Sequence, residues 1–297
     1  MSSVISTITV NYNAGLLLQN CVDSLLNCPL EIEVIVVDNA STDGSLDALH
    51  DLSNIKVIKN SGNLGFAAAC NIGMRDTTSP FVLFLNPDCF FEPGTLSKLL
   101  NAMALDEHVG MVGGLLINAN GTEQQGARRA VPTPWRSFVR AFGLARFAVI
   151  CPRLFYDFNL HKEPLPEHPI EVEAISGACM LVRREALQEV GAWDEGYFLH
   201  CEDLDWCMRF RQAGWKILFV PSAKITHEAG ACGRKRPVFV EWHKHKGMMY
   251  FYRKFFRHQY PSILMSVVSV GVWMRFGFVA IYYWLRRVGM AIGFNRD

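Results

Sequence analysis

No two cysteines in this 297-residue sequence stand three positions apart, although there are nine of them. Without a C-x-x-C pair, neither a zinc ribbon nor a disulfide framework is expected. Cys70, Cys89 and Cys179 lie in apolar runs, where cysteine acts as a small hydrophobe, and a reducing, cytosolic setting fits them best. Charge is scarce as well: 19% of residues carry it against 50% hydrophobic, a balance that excludes a disordered chain. The opening Met-Ser-Ser-Val-Ile-Ser lacks the cationic segment of a secretory signal, so none is expected. The turn from Asn11 to Gly15 lacks the glycine fingerprint of dinucleotide folds, which speaks against a nicotinamide oxidoreductase. Gly62-Asn63-Leu64-Gly65 does not supply one either, so phosphates are not expected on the helix after it.

The chain is long enough for one large core, or for a main domain with an appendage. Val4 to Val10 is rich in β-branched residues and reads as a strand, followed by a helix with Leu16, Leu17, Cys21 and Leu25 on its apolar stripe. Ile32 to Val37 is a second buried strand. It ends in the polar cluster Asp38 to Ser45, which offers a turn and caps for a helix through Leu46 and Leu49. Ile55 to Ile58 is a third strand, and a small-residue helix runs from Phe66 to Met74. Strands alternating with helices in this way predict a doubly wound α/β domain.

The next segment carries the chemistry. Phe81 to Leu85 is a continuous apolar run, the pattern of a strand covered on both faces, and it stops at Asn86-Pro87-Asp88. Proline cannot donate to a ladder, so Asp88 is presented at the carboxyl end of the strand, the edge where open α/β sheets bind ligands. A carboxylate there suits Mg²⁺ that also holds substrate phosphates; a plain turn is the simpler reading of the tripeptide. Asp38 ends a buried strand at the same edge and can accept the N3–H of uracil or thymine, while Asp43 serves the turn. Tyr12 lies beside that edge, where it could stack on a base or merely fill a surface turn.

Several motifs in order resemble the family 2 glycosyltransferases: Val-Asn-Tyr-Asn at 10–13, Val-Val-Asp-Asn-Ala-Ser-Thr-Asp-Gly-Ser at 36–45, Asn-Leu-Gly-Phe-Ala-Ala-Ala-Cys-Asn at 63–71 and Leu-Asn-Pro-Asp at 85–88. Ser-Gly-Ala-Cys-Met-Leu-Val-Arg-Arg at 176–184, Glu-Asp-Leu-Asp-Trp-Cys-Met-Arg at 202–209, Ala-Gly-Trp at 213–215 and Val-Pro-Ser-Ala-Lys-Ile-Thr-His at 220–227 continue the match. The similarity covers roughly Ser3 to Gly230 and is nearest to the rhamnosyltransferase-like branch of cell-surface polysaccharide synthesis. It implies a GT-A fold, a Rossmann-like α/β domain with a mixed sheet, and inverting, metal-dependent transfer from a nucleotide sugar. The donor it suggests is dTDP-rhamnose, with a UDP-linked donor as the alternative and a glycan or polyprenyl-linked acceptor. By the same resemblance Asn11, Asn63, Gly65, Asn71 and Asn86 join Tyr12 and Asp38 at the donor.

Where the family has Asp-x-Asp, this chain has Asn86-Pro87-Asp88, one carboxylate fewer. His227 is the expected second ligand for Mg²⁺ or Mn²⁺, although a lone histidine closing a strand is more often structural. Glu202, Asp203 and Asp205 open a helix, where acidic residues favour the helix dipole. The family places its base, which takes the acceptor hydroxyl's proton, at the position of Asp203, with Glu202 supporting the acceptor. Asp205 reads as a helix-start residue, Asp194 as loop structure, and Trp193 as either a sugar platform or core. Arg128 and Arg129 could meet the diphosphate or lie as a solvated pair, and Arg128 is assigned to the donor. From Val131 to Pro169 six prolines make the chain irregular around a helix from Arg140 to Phe147, the pattern of a lid or acceptor element.

The net charge of +1 conceals an asymmetry: residues 234–297 hold 12 Lys/Arg against 2 Asp/Glu, and the other 233 residues carry −9. A division is expected there, with the α/β domain at 1–233 and a helical region at 234–297. Glu241 to Gln259 mixes cations with aromatics, and the apolar stretch from Ser262 to Leu285 is broken by Arg275. Each uncharged run beside Arg275 is shorter than a membrane-crossing helix needs. Trp273, Tyr282, Tyr283 and Trp284 suit an interface, so helices lying on an anionic membrane, at its cytoplasmic face, are the favoured reading. A core or oligomerising hairpin, which would make a homodimer, is the rival, and a spanning helix comes third. The apolar run does not suit nucleic acid. A catalytically inactive membrane-bound binder of nucleotide sugars would explain the lost carboxylate, but not the retention of Asp38, Asp88, Asp203 and His227 together.

Overall fold

A computed structural model describes residues 5–49, 55–155, 157–228, 230 and 236–291. The chain divides into two compact units. The first holds the sequence up to Val131 with 158–198 and 202–232. Its strands are β1 (Ile5–Asn11), β2 (Ile32–Asp38), β3 (Ile55–Lys59), β4 (Phe81–Leu85), β5 (Cys89–Phe91), β6 (Val109–Ile117), β7 (Arg128–Arg129), β8 (Ile170–Glu171), β9 (Ala174–Ile175), β10 (Cys179–Arg183) and β11 (Lys216–His227). The helices of this unit are α1 (Leu16–Leu26), α2 (Phe66–Arg75), α3 (Thr95–Met103), α5 (Arg184–Val190) and α6 (Glu202–Gln212); α4 (Pro134–Ala141) belongs to the second unit.

The main sheet runs β3-β2-β1-β4-β10-β6-β11-β5, with β8 paired to β11. Pairs β1–β2, β2–β3, β1–β4 and β6–β11 are parallel, and β10 is antiparallel to both β4 and β6. The ends of β1, β2, β4, β6 and β11 therefore meet at one sheet edge, and β10 begins there. Every residue of β1 is buried, as a strand covered on both faces requires. Helix α1 buries Leu18, Cys21, Val22 and Leu25, the set expected of one face, and leaves Leu16 exposed, so the stripe is turned from the expected one. The helix expected through Leu46 and Leu49 is a short 3₁₀ turn over Asp47–Leu49, and 50–54 lie outside the described residues.

Strand β11 is longer than the segment from Ser222 to His227 that the sequence suggests. It starts at Lys216 and shifts register against β6 between Val220 and Lys224. Pro221 lies in that break, where no N–H is needed. The bulge passes close over Gly114, where a Cβ would collide with the Ala223 carbonyl oxygen and meet Ile225 Cδ1 at 2.5 Å. Gly114→Ala is therefore expected to destabilise the protein by about 1–3 kcal/mol as an overpacking change. A urea midpoint that falls at unchanged slope would bear this out; an unchanged midpoint would mean the bulge yields freely.

The second unit gathers 132–157 and 199–201 with the chain from 233 onward, so it takes in more than the expected tail. Thr133 caps α4, accepting from Arg136 N at 3.2 Å, with proline at the first helical position. The helix expected from Arg140 to Phe147 is displaced: α4 ends at Ala141, Gly143 turns the chain at φ 63°, and a 3₁₀ turn covers Leu144–Val149. Helices α7 (Pro237–Phe256) and α8 (Ser262–Ala291) complete the unit. Gly247 admits the His200 carbonyl against α7, where a Cβ would come within 2.7 Å, and Tyr252 donates to Ser137 Oγ at 2.6 Å.

Helix α8 runs unbroken through Arg275. Ser262–Val288 is long and apolar enough to cross a membrane by length and composition, and little of it is buried. Arg275 Nη1 reaches His245 Nε2 at 2.9 Å and lies 3.7 Å from Glu241 Oε2, both on α7. The charge that interrupts the apolar sequence is thus partnered within the hairpin. The α/β domain carries a C-terminal helical appendage suited to membrane association.

Candidate active site

The sheet edge is stitched by amides. Asn11 and Asp38 are opposite each other in the β1–β2 ladder, and Asn11 Nδ2 donates to Asp38 Oδ1 at 2.8 Å and to Ser45 Oγ at 2.8 Å. Asp38 Oδ2 accepts from Ser41 N at 3.1 Å, so the carboxylate both closes its turn and stays fixed at the strand end. Asn39 Nδ2 donates to the Gly65 carbonyl at 3.1 Å, and Asn60 Nδ2 to Asn39 Oδ1 at 2.9 Å. Asn63 Oδ1 accepts from Gly65 N at 3.0 Å. Gly65 has φ 88°, and a Cβ would lie 2.6 Å from the Phe198 carbonyl oxygen, so only glycine fits. Tyr12 is half-buried beside Asn11.

Strand β4 ends where Asn86 N donates to the Ala178 carbonyl at 2.9 Å and the Asn86 carbonyl accepts from Cys89 N at 3.1 Å. The tripeptide is thus a turn, and it presents Asp88. Strand β5 places Cys89 opposite His227 at the end of β11. His227 Nε2 lies 3.2 Å from Asp88 Oδ1, yet that buried oxygen has no hydrogen bond. The ring's other nitrogen, Nδ1, is 2.5 Å from Gln124 Oε1. An amide oxygen can only accept, so Nδ1 carries a proton, and in the neutral ring Nε2 then turns a lone pair toward the carboxylate. Two lone pairs at that distance repel unless a cation lies between them.

This donor set fits a divalent cation. Asp88, Cys89 and His227 have ligand atoms within 4.8 Å of one another, but the Cys89 thiol donates to the Ala178 carbonyl at 3.4 Å. Burial and the Asp88 charge push that thiol well above its usual range. What remains is one carboxylate oxygen and one imidazole nitrogen, a donor pair that could hold a divalent cation.

Asp203 stands in the first turn of α6. Its Oδ2 accepts from Gly177 N at 3.1 Å and pairs with Arg129 Nη2. Gly177 precedes Ala178, whose carbonyl holds Asn86, so the candidate base and the Asp88 turn are tied through two adjacent residues. A Cβ at Gly177 would sit 3.1 Å from Asp203 Cβ. Glu202 is buried with Oε2 unbonded. Burial, reinforced by the Asp203 charge, pushes its carboxyl up to about 8, so at neutral pH it holds a proton. The two adjacent carboxyls thus differ in setting: Glu202 is buried without a partner for Oε2, whereas Asp203 accepts from Gly177 and pairs with Arg129.

The family of this chain can be read from its relatives. A model described as Glycosyl transferase family 2 matches residues 6–191. The chain is 32% identical over 248 residues to the N-acetylglucosaminyl-diphospho-decaprenol L-rhamnosyltransferase of Mycobacterium tuberculosis, with 79% of each chain covered. It belongs to glycosyltransferase family 2. The rhamnosyltransferase WbbL of Escherichia coli (strain K12) is 32% identical over 101 residues, covering 32% of this chain and 38% of that one. The fold resembles the mannosyltransferase PcManGT of Pyrobaculum calidifontis, solved with GDP-Man and Mn²⁺, at TM-score 0.58 and 16% identity over 100% of this chain and 82% of that one. GalNAc-T7 with UDP, GalNAc and Mn²⁺ gives TM-score 0.57 at 19% identity, over 76% of this chain and 44% of that chain. These likenesses give the GT-A fold.

Two of the residues expected at the donor are engaged by other parts of the protein. Arg128 is buried: it pairs with Glu123 at 2.9 and 3.1 Å, donates to the Glu163 carbonyl at 2.8 Å and lies over the Phe219 ring. Neighbours in a strand point to opposite sides, so in β7 it is Arg129 that meets Asp203. The Asn71 amide clamps Trp193 through the carbonyl at 2.9 Å and the N–H at 3.0 Å, and reaches Glu195 Oε1 at 2.8 Å. Trp193 is core, with its ring 4.1 Å from Trp206 and 5.3 Å from Phe84. Asp205 is fully buried between the Tyr197 hydroxyl at 3.1 Å and Arg209 at 2.7 Å. Sequence reading did not single out Gln124, Asn39 or Asn60, polar residues in loops that become partners only when the strand ends converge.

Proposed function

We propose that this glycosyltransferase moves L-rhamnose, from dTDP-rhamnose, to a polyprenyl-diphosphate-linked glycan at the membrane. The observation that carries the reading is the meeting of Asp38, the Asp88–His227 gap and Asp203 at one sheet edge, in a chain similar over most of its length to a decaprenol-linked rhamnosyltransferase. In this reading the Asp38 carboxylate accepts the N3–H of thymine, with Tyr12 beside the base. Asp88 and His227 hold Mg²⁺ or Mn²⁺, which offsets the charge on the departing diphosphate. Asp203, paired with Arg129, takes the proton of the acceptor hydroxyl as that oxygen bonds to the anomeric carbon and the carbon–phosphate oxygen bond breaks. Glu202, holding its own proton, does not compete for the one transferred.

The test is transfer from a donor panel to a polyprenyl-diphosphate N-acetylglucosamine in vesicles. dTDP-rhamnose should be the preferred donor. Preference for a UDP-sugar, whose uracil presents the same N3–H, would move the donor assignment, and hydrolysis or transfer with none would leave a binding protein.

The appendage in this reading lies on an anionic leaflet. Arg253, Lys254 and Arg257 are exposed at the end of α7 and should act as one electrostatic patch. Changing all three to Gln should weaken binding to anionic vesicles, as should salt, because attraction is screened over about 8 Å at physiological ionic strength. Transfer to a small soluble acceptor should change little, and transfer to a lipid-linked one should fall. Salt-insensitive association released only by detergent would instead indicate that α8 spans.

A further inference from the structure

Strand β6 ends at Ile117 and a tight loop follows. Asn118 N donates to the Thr122 carbonyl at 2.9 Å, and Gln124 N to the Leu116 carbonyl at 2.8 Å, which pins the loop to its own strand. Ile117 is in register with Thr226 of β11, one residue before His227. The loop and the histidine therefore ride on two directly paired strands.

Within that loop the side-chain amides form a one-way chain of donors. Asn118 Nδ2 donates to Thr122 Oγ1 at 3.0 Å and to the Thr122 carbonyl at 3.3 Å, which turns Asn118 Oδ1 toward Gln124. Gln124 Nε2 donates to that oxygen at 3.2 Å. With its nitrogen so engaged, Gln124 has its oxygen aimed at the imidazole, 2.5 Å from His227 Nδ1. Gln124 is nearly buried, at 9% exposure, so water is a poor substitute partner there. The reverse orientation would set the Gln124 NH₂ against the ring and make Nδ1 the acceptor. The proton would then sit on Nε2, facing Asp88 Oδ1 at 3.2 Å, and would leave no lone pair for a cation.

We infer that Gln124 is a positioning residue that selects the Nδ1–H form of His227 and so sets how tightly the Asp88–His227 pair holds a divalent cation, with Asn118 orienting its amide. The inference rests on the reading of Asp88 and His227 as a cation site. Its physical basis is general: a ligating imidazole whose other N–H is donated to a fixed acceptor is held in one tautomer and ring orientation, and is made more basic.

The experiment is Mn²⁺ binding to the full chain with dTDP, followed by electron paramagnetic resonance, in wild type, Gln124→Leu, Gln124→Glu and His227→Ala. Leucine fills a similar volume without an acceptor, whereas glutamate keeps the acceptor and adds charge. Gln124→Leu should weaken Mn²⁺ by about 10- to 100-fold, and Gln124→Glu should retain or tighten it. Imidazole ¹⁵N shifts should show Nδ1–H for His227 in wild type and lose that signature in Gln124→Leu, a change that loosened packing alone would not produce. Wild-type affinity in Gln124→Leu, or an equal loss in Gln124→Glu, would overturn the inference while leaving the cation site standing. Mn²⁺ binding that ignores His227→Ala would instead overturn the site, and the inference with it.

Discussion

Replacing Asp203 by asparagine is expected to lower the rate of transfer by about 10²- to 10⁴-fold, the range of a lost general base, while donor KM changes little. The side chain keeps its shape and an oxygen for the Gly177 N–H, so the loss reports the proton transfer rather than the fold. Glu202→Gln provides the contrast. Glu202 holds its proton at neutral pH, so an amide reproduces its charge, and the loss should be much smaller than that of Asp203→Asn. The same substitution has a stability signature. From the ordinary value of 4.5 up to about 8, the native state binds the Glu202 proton more tightly than the unfolded chain. Stability should therefore fall as pH rises through that window, and Glu202→Gln should remove this component of the slope. Equal losses in the two variants, or Asp203→Asn within a few-fold of wild type, would remove Asp203 from the mechanism.

Asp88→Ala and His227→Ala form the second large effect. If the cation between them contributes several kcal/mol to the departure of the diphosphate, each variant should lose about a hundredfold or more in kcat, and chelator should do the same to wild type. Asp88 should matter more, because it supplies the only charge of the pair. Full turnover in excess chelator, with both variants active, would make the metal assignment wrong.

The strand ends were readable because a buried parallel strand is a continuous apolar run with an abrupt polar stop. Phe81–Leu85 before Asn86-Pro87-Asp88, and Ile32–Asp38, lie where that pattern puts them. The placement of the candidate residues was readable to the extent that it follows such ends: Asp38, Asp88 and His227 lie there, and Asp203 opens its helix. What was not legible needed information that a local pattern lacks. Arg128 and Arg129 are adjacent and chemically alike, and only the facing of a two-residue strand against β9 decides which is buried and which meets Asp203. Asn71 lies in a motif-like segment, but its partner is the Trp193 backbone more than a hundred residues away. Gln124 sits in a polar loop with no periodicity, and its role appears only when β6 pairs with β11. In the appendage, Arg275 looked like an interruption because its partners Glu241 and His245 come from the preceding helix.

The most direct test of the site is crystallographic: the full chain grown with Mn²⁺ and dTDP, with anomalous data collected for manganese. One strong peak bound by Asp88 Oδ1 and His227 Nε2 is expected, with the diphosphate on its open side and the thymine N3–H on the Asp38 carboxylate. A nucleotide bound away from the β1 and β2 ends, or manganese held by other residues, would contradict it.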